Sequence, residues 1–308
     1  MSNPLVIVLI LSYNGKQLLE DSISSYLAND YPNFKVVVID NGSIDGTKEW
    51  VEQTFPGIFV LRTEKNLGYS GGFNFGLDYA FNQLEADYVL ITNNDVKADS
   101  NVISELVKVA GKDPLIGFVT GKVYYFDKPD VIQSIGYFED PVRWIGGHIG
   151  QGERDIGQYN LDEQRFMTDD IFILVRNDLY LKIGGYNPVF KFQCEQADWQ
   201  IRGKKNNFKI YYAHKAKIWH KESMTIGKSS PFKVYYDVRN TLILRLVHKG
   251  EEYNRRYFKW YFKNIVIIPF VKNTLKLRLP YSWAIFRGFC SAMTYAGFNN
   301  LFKIKYLF

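Results

Sequence analysis

The chain has 308 residues, of which 46% are hydrophobic and 23% charged, and its formal net charge is +6. This length and composition, without a long biased tract, are those of a globular protein with a large core. Its two cysteines, Cys194 and Cys290, exclude a disulfide framework and a cysteine-based zinc set. The first four residues hold no Lys or Arg, so we expect no signal peptide and a cytoplasmic location.

The first 95 residues alternate between predicted strands and helices. Strands are predicted at 4–11, 34–39, 58–62 and 86–92, and helices at 16–28, 45–54 and 69–84. This alternation predicts an α/β fold with a mostly parallel sheet and helices on both faces. Because open α/β sheets bind ligands beyond the carboxyl ends of their strands, we expect the site in the loops there.

The alternation loosens after residue 95. Helices are predicted at 101–110, 177–183 and 194–205, strands at 116–126, 171–176, 210–212 and 217–219, and loops with short strands at 134–159. From Phe232 onward the pattern is helical. We therefore expect a body of residues 1–230 followed by a helical region, 231–308.

The segment 88–95 begins as an apolar strand and turns abruptly polar at Asn93, Asn94 and Asp95. A carboxylate placed between amides at a strand end suits a hard divalent cation that is held partly by the phosphates of a substrate. The alternative is a turn that merely ends the strand, since Asn and Asp both favour turns.

Two further patterns are typical of a nucleotide site. Asp40 ends the second strand, where a carboxylate can accept from a base or ribose hydroxyl, or can cap the next helix. The glycine-rich segment 66–76 allows close backbone approach and offers free N–H groups to a phosphate. Its spacing is not G-x-G-x-x-G, which weakens a dehydrogenase interpretation. The alternative is a turn with tight helix packing.

Acidic residues and a histidine lie late in the body. Glu195 and Asp198 share one face of a helix, where a carboxylate can act as general base, or can cap the helix and pair with Arg202. His220 ends a strand and is either a metal ligand or a polar surface residue.

Taken together and in this order, these segments resemble family 2 glycosyltransferases, and rhamnosyltransferase-like bacterial members most closely. The segments that carry the resemblance, within residues 4–250, are 8–14, 40–43, 68–76, 93–95, 195–198 and His220, with 133–136 and 235–240 in addition.

The resemblance implies a GT-A fold, with a nucleotide-binding half (1–95), an acceptor-binding half (96–230) and the helical region as an appendage. It implies an inverting enzyme that moves a hexose or deoxyhexose from dTDP-rhamnose or a UDP-hexose to a glycan acceptor. The expected setting is the synthesis of a cell-surface polysaccharide or glycoconjugate, on a lipid-linked or other glycan acceptor.

The resemblance also assigns roles to residues. Asp95 and His220 would hold Mg²⁺ or Mn²⁺ on the diphosphate, and Glu195, or else Asp198, would be the catalytic base. We prefer Glu195 because it opens the helix. The residues expected to bind the donor are Ser12, Tyr13, Asn14, Asp40, Asn66, Gly68, Gly71, Gly72, Asn74 and Asn94.

Three positions depart from the family pattern. Asn93 replaces the first Asp of D-x-D, and Gln196 occupies the frequent base position. The Thr-Gly stretch becomes 168–170, Thr-Asp-Asp, which suggests an altered acceptor pocket. The alternative function is therefore a catalytically weak nucleotide-sugar-binding protein or a membrane assembly subunit.

The positive charge is concentrated at the end of the chain. Residues 249–308 carry eleven Lys or Arg and two acids, a net charge of +9, so the remainder carries about −3. Basic and aromatic residues on helices suit an anionic membrane surface, here the inner face of the cell membrane, through 250–308. The alternative is packing on the body or a homodimer. No nucleic-acid motif accompanies the charge, so we do not expect nucleic acid as a partner.

Overall fold

The computed structural model describes residues 3–221, 230–249 and 251–298. The chain divides into two compact units. The first comprises Met1–Glu139, Ile145–Lys191 and Trp199–Met224, and the second Asp140–Trp144, Phe192–Asp198 and Thr225–Phe308. The second unit therefore contains the first turn of the acidic helix as well as the C-terminal helices.

The elements follow the predicted order with small shifts at their ends. The strands are β1 (Val6–Ser12), β2 (Phe34–Asp40), β3 (Phe59–Arg62), β4 (Tyr88–Asn93), β5 (Val96–Ala98), β6 (Ile116–Tyr125), β7 (Lys128–Ser134), β8 (Tyr137–Asp140), β9 (Trp144–His148), β10 (Glu163–Gln164), β11 (Phe172–Arg176) and β12 (Lys209–His220). The helices are α1 (Lys16–Leu27), α2 (Thr47–Thr54), α3 (Gly68–Asp78), α4 (Val102–Ala110), α5 (Asn177–Ile183), α6 (Glu195–Lys205), α7 (Pro231–His248), α8 (Glu251–Tyr261), α9 (Ile268–Leu275) and α10 (Leu279–Phe298). Short π-helical turns follow α3 and α8.

The central sheet has the strand order β10-β12-β6-β11-β4-β1-β2-β3, with β5 on β12 and β7 on β6. The four strands from β3 to β4 are all parallel, which confirms the prediction for the first half. β11 then runs antiparallel to both β4 and β6, while β12 is parallel to β6. The sheet is thus parallel where the chain alternates strand and helix, and mixed beyond residue 95.

The core consists of two layers, one on each face of the sheet. Along β1, Val8 and Ile10 pack on one face and Ile7 and Leu9 on the other. Both sets are fully buried, which explains why the strand is a continuous apolar run rather than an alternating one. Burying β1, β2 and β4 in one register aligns their carboxyl ends at one edge.

Four strands differ from the predicted ones, and β7 and β10 are two of them, because no strand was predicted at their positions. The strands predicted at 210–212 and 217–219 form one strand, β12, with a shift in pairing between Tyr212 and Lys217. The three-residue strand β5 was not predicted, because a periodic pattern needs a longer segment. β5 pairs with β12 so that Val96 lies opposite His220, and this pairing positions part of the site.

In the second unit, a strained turn precedes α6. Gln193 and Cys194 both have positive φ, of 66° and 69°, which residues other than glycine rarely adopt. The fully buried Asn240 of α7 donates from Nδ2 to the carbonyl oxygens of Phe192 (2.7 Å) and Gln193 (2.9 Å). Arg239 in turn donates from Nη1 to Asn240 Oδ1. One buried amide therefore holds the turn that leads into Glu195.

We expect Asn240→Ala to destabilise the fold, because it leaves the carbonyls of Phe192 and Gln193 without their donor. An unsatisfied buried acceptor costs about 1–3 kcal/mol. Differential scanning calorimetry measures the effect as a lower Tm. Asn273→Ala is the matched control, since Asn273 donates only to Pro269 within α9. Equal Tm values for the two variants would show that the amide does not hold the turn.

Candidate active site

The site begins where β1, β2 and β4 end. The register places Ser12 opposite Asp40 and Leu11 opposite Asn93. Asn94 follows β4 and donates from Nδ2 to Ser12 Oγ at 3.3 Å, with both side chains buried. A Cβ at Gly15 would lie 2.3 Å from that Nδ2, so any larger residue here would displace the Asn94 side chain. Residues predicted as donor-binding therefore do meet at one edge of the sheet.

Asp95 and His220 form a buried pair next to this edge. Asp95 Oδ1 lies 3.2 Å from His220 Nε2, and the two residues are only 6% and 7% exposed. The other ring nitrogen, Nδ1, is 2.9 Å from Gln133 Oε1. Asp95 Oδ1 accepts no hydrogen bond from any residue in the described part of the chain. The pairing of β5 with β12 is what brings the two side chains together.

The chemistry of this pair favours a cation. With Nδ1–H donating to Gln133, Nε2 carries a lone pair and faces a carboxylate oxygen that also carries lone pairs. Two buried acceptors at 3.2 Å repel each other unless a proton or a metal ion lies beside them. A histidine that binds metal usually donates its other N–H to a fixed partner, as His220 does to Gln133. The residues present thus fit a divalent cation.

The pair does not form a complete metal cage. Among residues 3–221, 230–249 and 251–298, no group of three or more His, Cys, Asp or Glu side chains is arranged for a metal ion. Mg²⁺ commonly keeps water and phosphate oxygens as most of its ligands. A cation held by Asp95 and His220 would therefore need oxygen ligands from a bound substrate.

Asp40 is fully buried at the end of β2 and shapes the loop that follows. Its Oδ1 accepts from the Ser43 amide (2.9 Å), and its Oδ2 lies 3.3 Å from Arg62 Nη1. The next helix, α2, begins only at Thr47, whose amide donates to Asp45 rather than to Asp40. The capping alternative for Asp40 is therefore wrong, while the nucleoside contact stays a prediction.

Tyr13 and Asn14 form the loop after β1. Asn14 has a φ of 48°. Its backbone N–H donates to Ser43 Oγ (2.9 Å), and its side-chain Oδ1 accepts from the backbone N–H of Ile44 (2.9 Å). These bonds fix the loop after β1 to the loop after β2. The ring of Tyr13 remains exposed beside them.

The glycine-rich segment opens α3 against the sheet. A Cβ at Gly72 would lie 2.6 Å from Leu11 Cδ1, and one at Gly71 would lie 2.8 Å from Leu67 Cβ. Asn74 exchanges two hydrogen bonds of 2.8 Å with the backbone of Tyr186. The structure thus gives these residues a packing role, and their contact with a phosphate stays a prediction.

The start of α3 is held by amide side chains. Asn66 Oδ1 accepts from the Gly68 amide (2.8 Å) and from Asn41 Nδ2 (3.2 Å). Asn41 Oδ1 accepts in turn from the Leu67 amide (3.0 Å). Gly68 has a φ of 77°, which suits glycine at this turn. Asn41 was not among the predicted site residues, although its position after Asp40 was part of the motif.

A second polar cluster, which sequence reasoning did not assemble, adjoins Asn93. The amide of Asn93 donates to the carbonyl of Ile171, so the loop 168–170 lies beside β4. Asp169 accepts from Tyr137 (2.7 Å) and from Ser134, and His148 Nδ1 lies 3.3 Å from its Oδ2. The only signal in the sequence was the Thr-Asp-Asp departure at 168–170.

Asp170 faces a different set of groups. Its Oδ2 accepts from the Tyr186 hydroxyl (3.1 Å), and its carbonyl accepts from the Tyr69 hydroxyl (3.1 Å). Burial raises the pKa of Asp170 to about 7 against the hydrogen bond from Tyr186, and the charge of Asp169 adds to the rise. Burial also acts on Asp169, but His148, Ser134 and Tyr137 outweigh it and lower the pKa of that carboxyl. The pKa values of these two adjacent carboxyls are therefore shifted in opposite directions.

The two acids of α6 are both buried in the second unit. Asp198 Oδ1 lies 2.8 Å from His248 Nε2 of α7. Arg202, farther along the helix, donates to the carbonyl oxygens of Ile183 and Gly185. Within the first unit, Gln200 bonds both the amide and the carbonyl of Thr168, at 2.8 and 2.9 Å. α6 thus anchors the loop that carries Asp169 and Asp170.

We expect Asp170 to make the free energy of unfolding depend on pH. Its carboxyl keeps a proton up to about pH 7 in the folded chain, compared with an ordinary pKa of 3.8. Since the folded state binds the extra proton between these values, stability falls as the pH rises through that window and stays reduced above it.

Asp170→Asn should therefore raise Tm relative to wild type, and by more at pH 8 than at pH 5, in a thermal melt. Asp169→Asn should instead lower Tm at pH 8, because the pKa of Asp169 is lowered and its negative charge stabilises the fold. A Tm difference for Asp170→Asn that is the same at both pH values would contradict the assignment.

Comparison with known proteins shows which family the sequence matches. The glycosyl transferase family 2 model matches residues 7–184. Poly-beta-1,6-N-acetyl-D-glucosamine synthase of Staphylococcus aureus is 24% identical over 225 residues, which are 71% of this chain and 50% of that protein. The synthase of Staphylococcus epidermidis matches equally well, at 24% over 224 residues. The chain spans about half the length of these curated relatives.

Solved structures show the fold. The mannosyltransferase PcManGT from Pyrobaculum calidifontis, in complex with GDP-Man and Mn²⁺, has a TM-score of 0.55 at 15% identity, over 96% of this chain and 76% of that one. S. aureus TarS 1–349, in complex with UDP-GlcNAc, has a TM-score of 0.56 at 17% identity, over 91% and 79%. The GT-A prediction is confirmed. Because the family model covers more than half of its residues, the chain belongs to glycosyl transferase family 2.

Proposed function

We propose that this protein is an inverting, metal-dependent glycosyltransferase. It moves a hexose or deoxyhexose from a nucleoside diphosphate sugar, dTDP-rhamnose or a UDP-hexose, to a glycan acceptor in cell-surface polysaccharide or glycoconjugate synthesis. The observation that carries the proposal is the buried Asp95–His220 pair, whose two acceptor atoms lie 3.2 Å apart near the carboxyl ends of the parallel strands. Relatives named as a polysaccharide synthase, and fold neighbours solved with GDP-Man or UDP-GlcNAc, support it.

Asp95 Oδ1 and His220 Nε2 would hold Mg²⁺ or Mn²⁺, and Mn²⁺ accompanies the fold neighbour PcManGT. When bound, the ion supplies positive charge beside the departing nucleoside diphosphate. Gln133 fixes the His220 ring so that Nε2, not Nδ1, is turned toward Asp95. Both protein ligands are held before any substrate arrives, and such preorganisation is usually the largest contribution to catalysis.

The ends of β1 and β2 would bind the nucleoside. Tyr13 has an exposed ring on which a base can stack, and it is followed by the loop fixed by Asn14 and Ser43. Asp40 lies across from Ser12 in the strand register. The remaining predicted donor contacts, at the opening of α3, would come from backbone amides that approach the phosphates where glycines leave no side chain.

The acceptor hydroxyl must lose its proton as the new bond forms, and an acid in the first turn of α6 would take it. Glu195 remains our first choice. Asp198 is second, and its Oδ1 lies 2.8 Å from His248 Nε2. A positioned carboxylate contributes about 10²–10⁴-fold to the rate of such a step.

The metal assignment predicts the effect of Asp95→Asn. Without the carboxylate, Mn²⁺ together with UDP or dTDP should no longer raise Tm, and turnover should fall by about 100-fold or more. Thermal shift and release of nucleoside diphosphate are the two measurements. Asp127→Asn, at an exposed position between β6 and β7, is the control and should behave as wild type. A variant at residue 95 that keeps the Mn²⁺-dependent shift would exclude this residue as a ligand.

The base assignment predicts different results for two conservative variants. Glu195→Gln should lower kcat by about 10²–10⁴-fold with donor saturated, while leaving the Tm shift caused by donor unchanged. Asp198→Asn should mainly lower the Tm of the free protein, since it breaks a buried contact with His248. Wild-type kcat in both variants would show that neither acid is the base.

A second candidate function is favoured by Gln196 and by the basic, aromatic C-terminal helices. It is a nucleotide-sugar-binding protein with little catalysis, or a membrane assembly subunit. Nucleoside diphosphate released only in the presence of acceptor supports transfer. Donor binding without acceptor-dependent release supports the alternative.

As part of the same proposal, the protein works in the cytoplasm at the inner face of the cell membrane. There a lipid-linked acceptor would be within reach. A homodimer remains the competing explanation for the C-terminal helices, and nucleic acid is not proposed as a partner. Among the described residues, no helix is long and apolar enough to span a membrane.

A further inference from the structure

The turn between α9 and α10 in the second unit exposes leucines that alternate with basic residues. The sequence runs Leu275-Lys276-Leu277-Arg278-Leu279, and the three leucines are 79%, 82% and 58% exposed. We call these five residues the α9–α10 tip. Single exposed leucines are common on protein surfaces, but three in one turn need an explanation.

The backbone of the tip is ordered by hydrogen bonds. The amide of Leu277 donates to Thr274 O (3.0 Å), and the amide of Arg278 donates to Asn273 O (2.8 Å). Leu277 has a φ of 54°, in the left-handed region that favours glycine or asparagine. The chain therefore keeps a leucine in a strained position where its side chain meets no core, which suggests that the side chain serves a contact outside the chain.

Both helices that flank the tip also expose apolar side chains. None of the residues of α9 is buried, and Ile268 and Val271 are exposed on it. On α10, Trp283 and Phe286 are exposed and stack with ring centroids 5.6 Å apart. The tip and these four residues together form what we call the tip surface.

The charge around the tip surface is of one sign. Residues 256–298 contain no Asp or Glu. They contain seven basic residues: Arg256, Lys259, Lys263, Lys272, Lys276, Arg278 and Arg287. The segment itself therefore carries a net charge of +7, which favours an anionic partner.

We propose that the tip surface binds the surface of an anionic lipid bilayer. Leu275, Leu277 and Leu279 enter the boundary between headgroups and acyl chains, where apolar side chains gain free energy by leaving water. Lys276 and Arg278 lie between them and reach the anionic headgroups. Tryptophan is enriched at this depth of a bilayer, which suits the position of Trp283 beside the tip.

Other occupants match only part of this chemistry. A second copy of the chain, docked through the same face, would cover the leucines but would bring two positive surfaces together. A nucleic acid would neutralise the charge but would leave the leucines without an apolar environment. An anionic bilayer satisfies both the charge and the leucines in one contact.

The proposal does not rest on the proposed sugar transfer, because it concerns residues outside the predicted site. It assigns residues to the membrane contact that the proposed function includes, since a lipid-linked acceptor would lie in the same surface. Vesicle binding without substrates therefore tests it independently of catalysis.

The experiment is flotation of the full chain with vesicles of phosphatidylcholine alone or mixed with phosphatidylglycerol, at low and high salt. We expect binding to the mixed vesicles that weakens at high salt. Leu275→Gln with Leu277→Asn removes the apolar contribution while keeping the turn, because glutamine suits a helix end and asparagine tolerates positive φ. This variant should bind mixed vesicles about tenfold more weakly or worse.

Lys276→Gln with Arg278→Gln tests the charges. Each basic residue near an anionic surface contributes about fivefold to partitioning, so the pair should lose about 30-fold on mixed vesicles. The matched controls lie in the first unit: Leu181→Gln, an exposed leucine of α5, and Lys128→Gln with Lys182→Gln, two exposed lysines. These controls should bind as wild type does, and the tip variants should keep the wild-type Tm.

Three outcomes would overturn the proposal. One is wild-type protein that does not float with phosphatidylglycerol vesicles, and another is a leucine variant that floats as well as wild type. The third is a concentration-dependent dimer in analytical ultracentrifugation that the leucine variant abolishes while flotation is unchanged, which would assign the surface to self-association.

Discussion

The structure of the site depends on one buried contact, in which Asp95 Oδ1 and His220 Nε2 are held 3.2 Å apart. The local sequence around each residue does not determine the position of either atom. The pairing of β5 with β12 fixes the backbone of both residues, and Gln133 fixes the histidine ring. The fold therefore holds a carboxylate oxygen and an imidazole nitrogen side by side, an arrangement that a proton or a metal ion beside them stabilises. A substrate that carries its own negative charge and a metal ion would complete the site.

Sequence reasoning located the parts of this site that follow from one strand and its loop. Ser12, Asp40 and Asn94 were placed correctly at one edge because parallel strands end together. The contact between Asp95 and His220 spans 125 positions of the chain and depends on β5, a strand of three residues. No periodic pattern can reveal so short a strand, so the motif predicted both residues but the structure was needed to show their contact.

The loop at 168–170 shows that the sequence also does not reveal how a contact changes the pKa of a carboxyl. Two neighbouring aspartates look equivalent in the sequence, yet Asp169 is met by hydroxyls and a histidine from β7, β8 and β9 while Asp170 is met by tyrosines from α3 and 184–190. At Asp169 the hydrogen bonds and His148 outweigh burial and favour the charged form, whereas at Asp170 burial and the charge of Asp169 outweigh the tyrosine hydroxyls and disfavour it. Pairs of carboxyls with opposite shifts are frequent where a protein must handle protons, and this pair lies beside the loop that carries Asn93.

The C-terminal helices support the turn before Glu195 and also carry the exposed tip. Deleting the helices would remove both features at once. Asn240 of α7 holds the strained turn before Glu195, and Arg239 beside it bonds Ser291 of α10, so α10 supports that turn indirectly. The same α10 begins at the exposed tip with its positive charge. Removing the helices would abolish the support for α6 together with the surface contact, and a loss of activity would have two explanations. Substitutions at the tip leave Asn240 and Ser291 in place, so they separate the proposed bilayer contact from the support of the acidic helix.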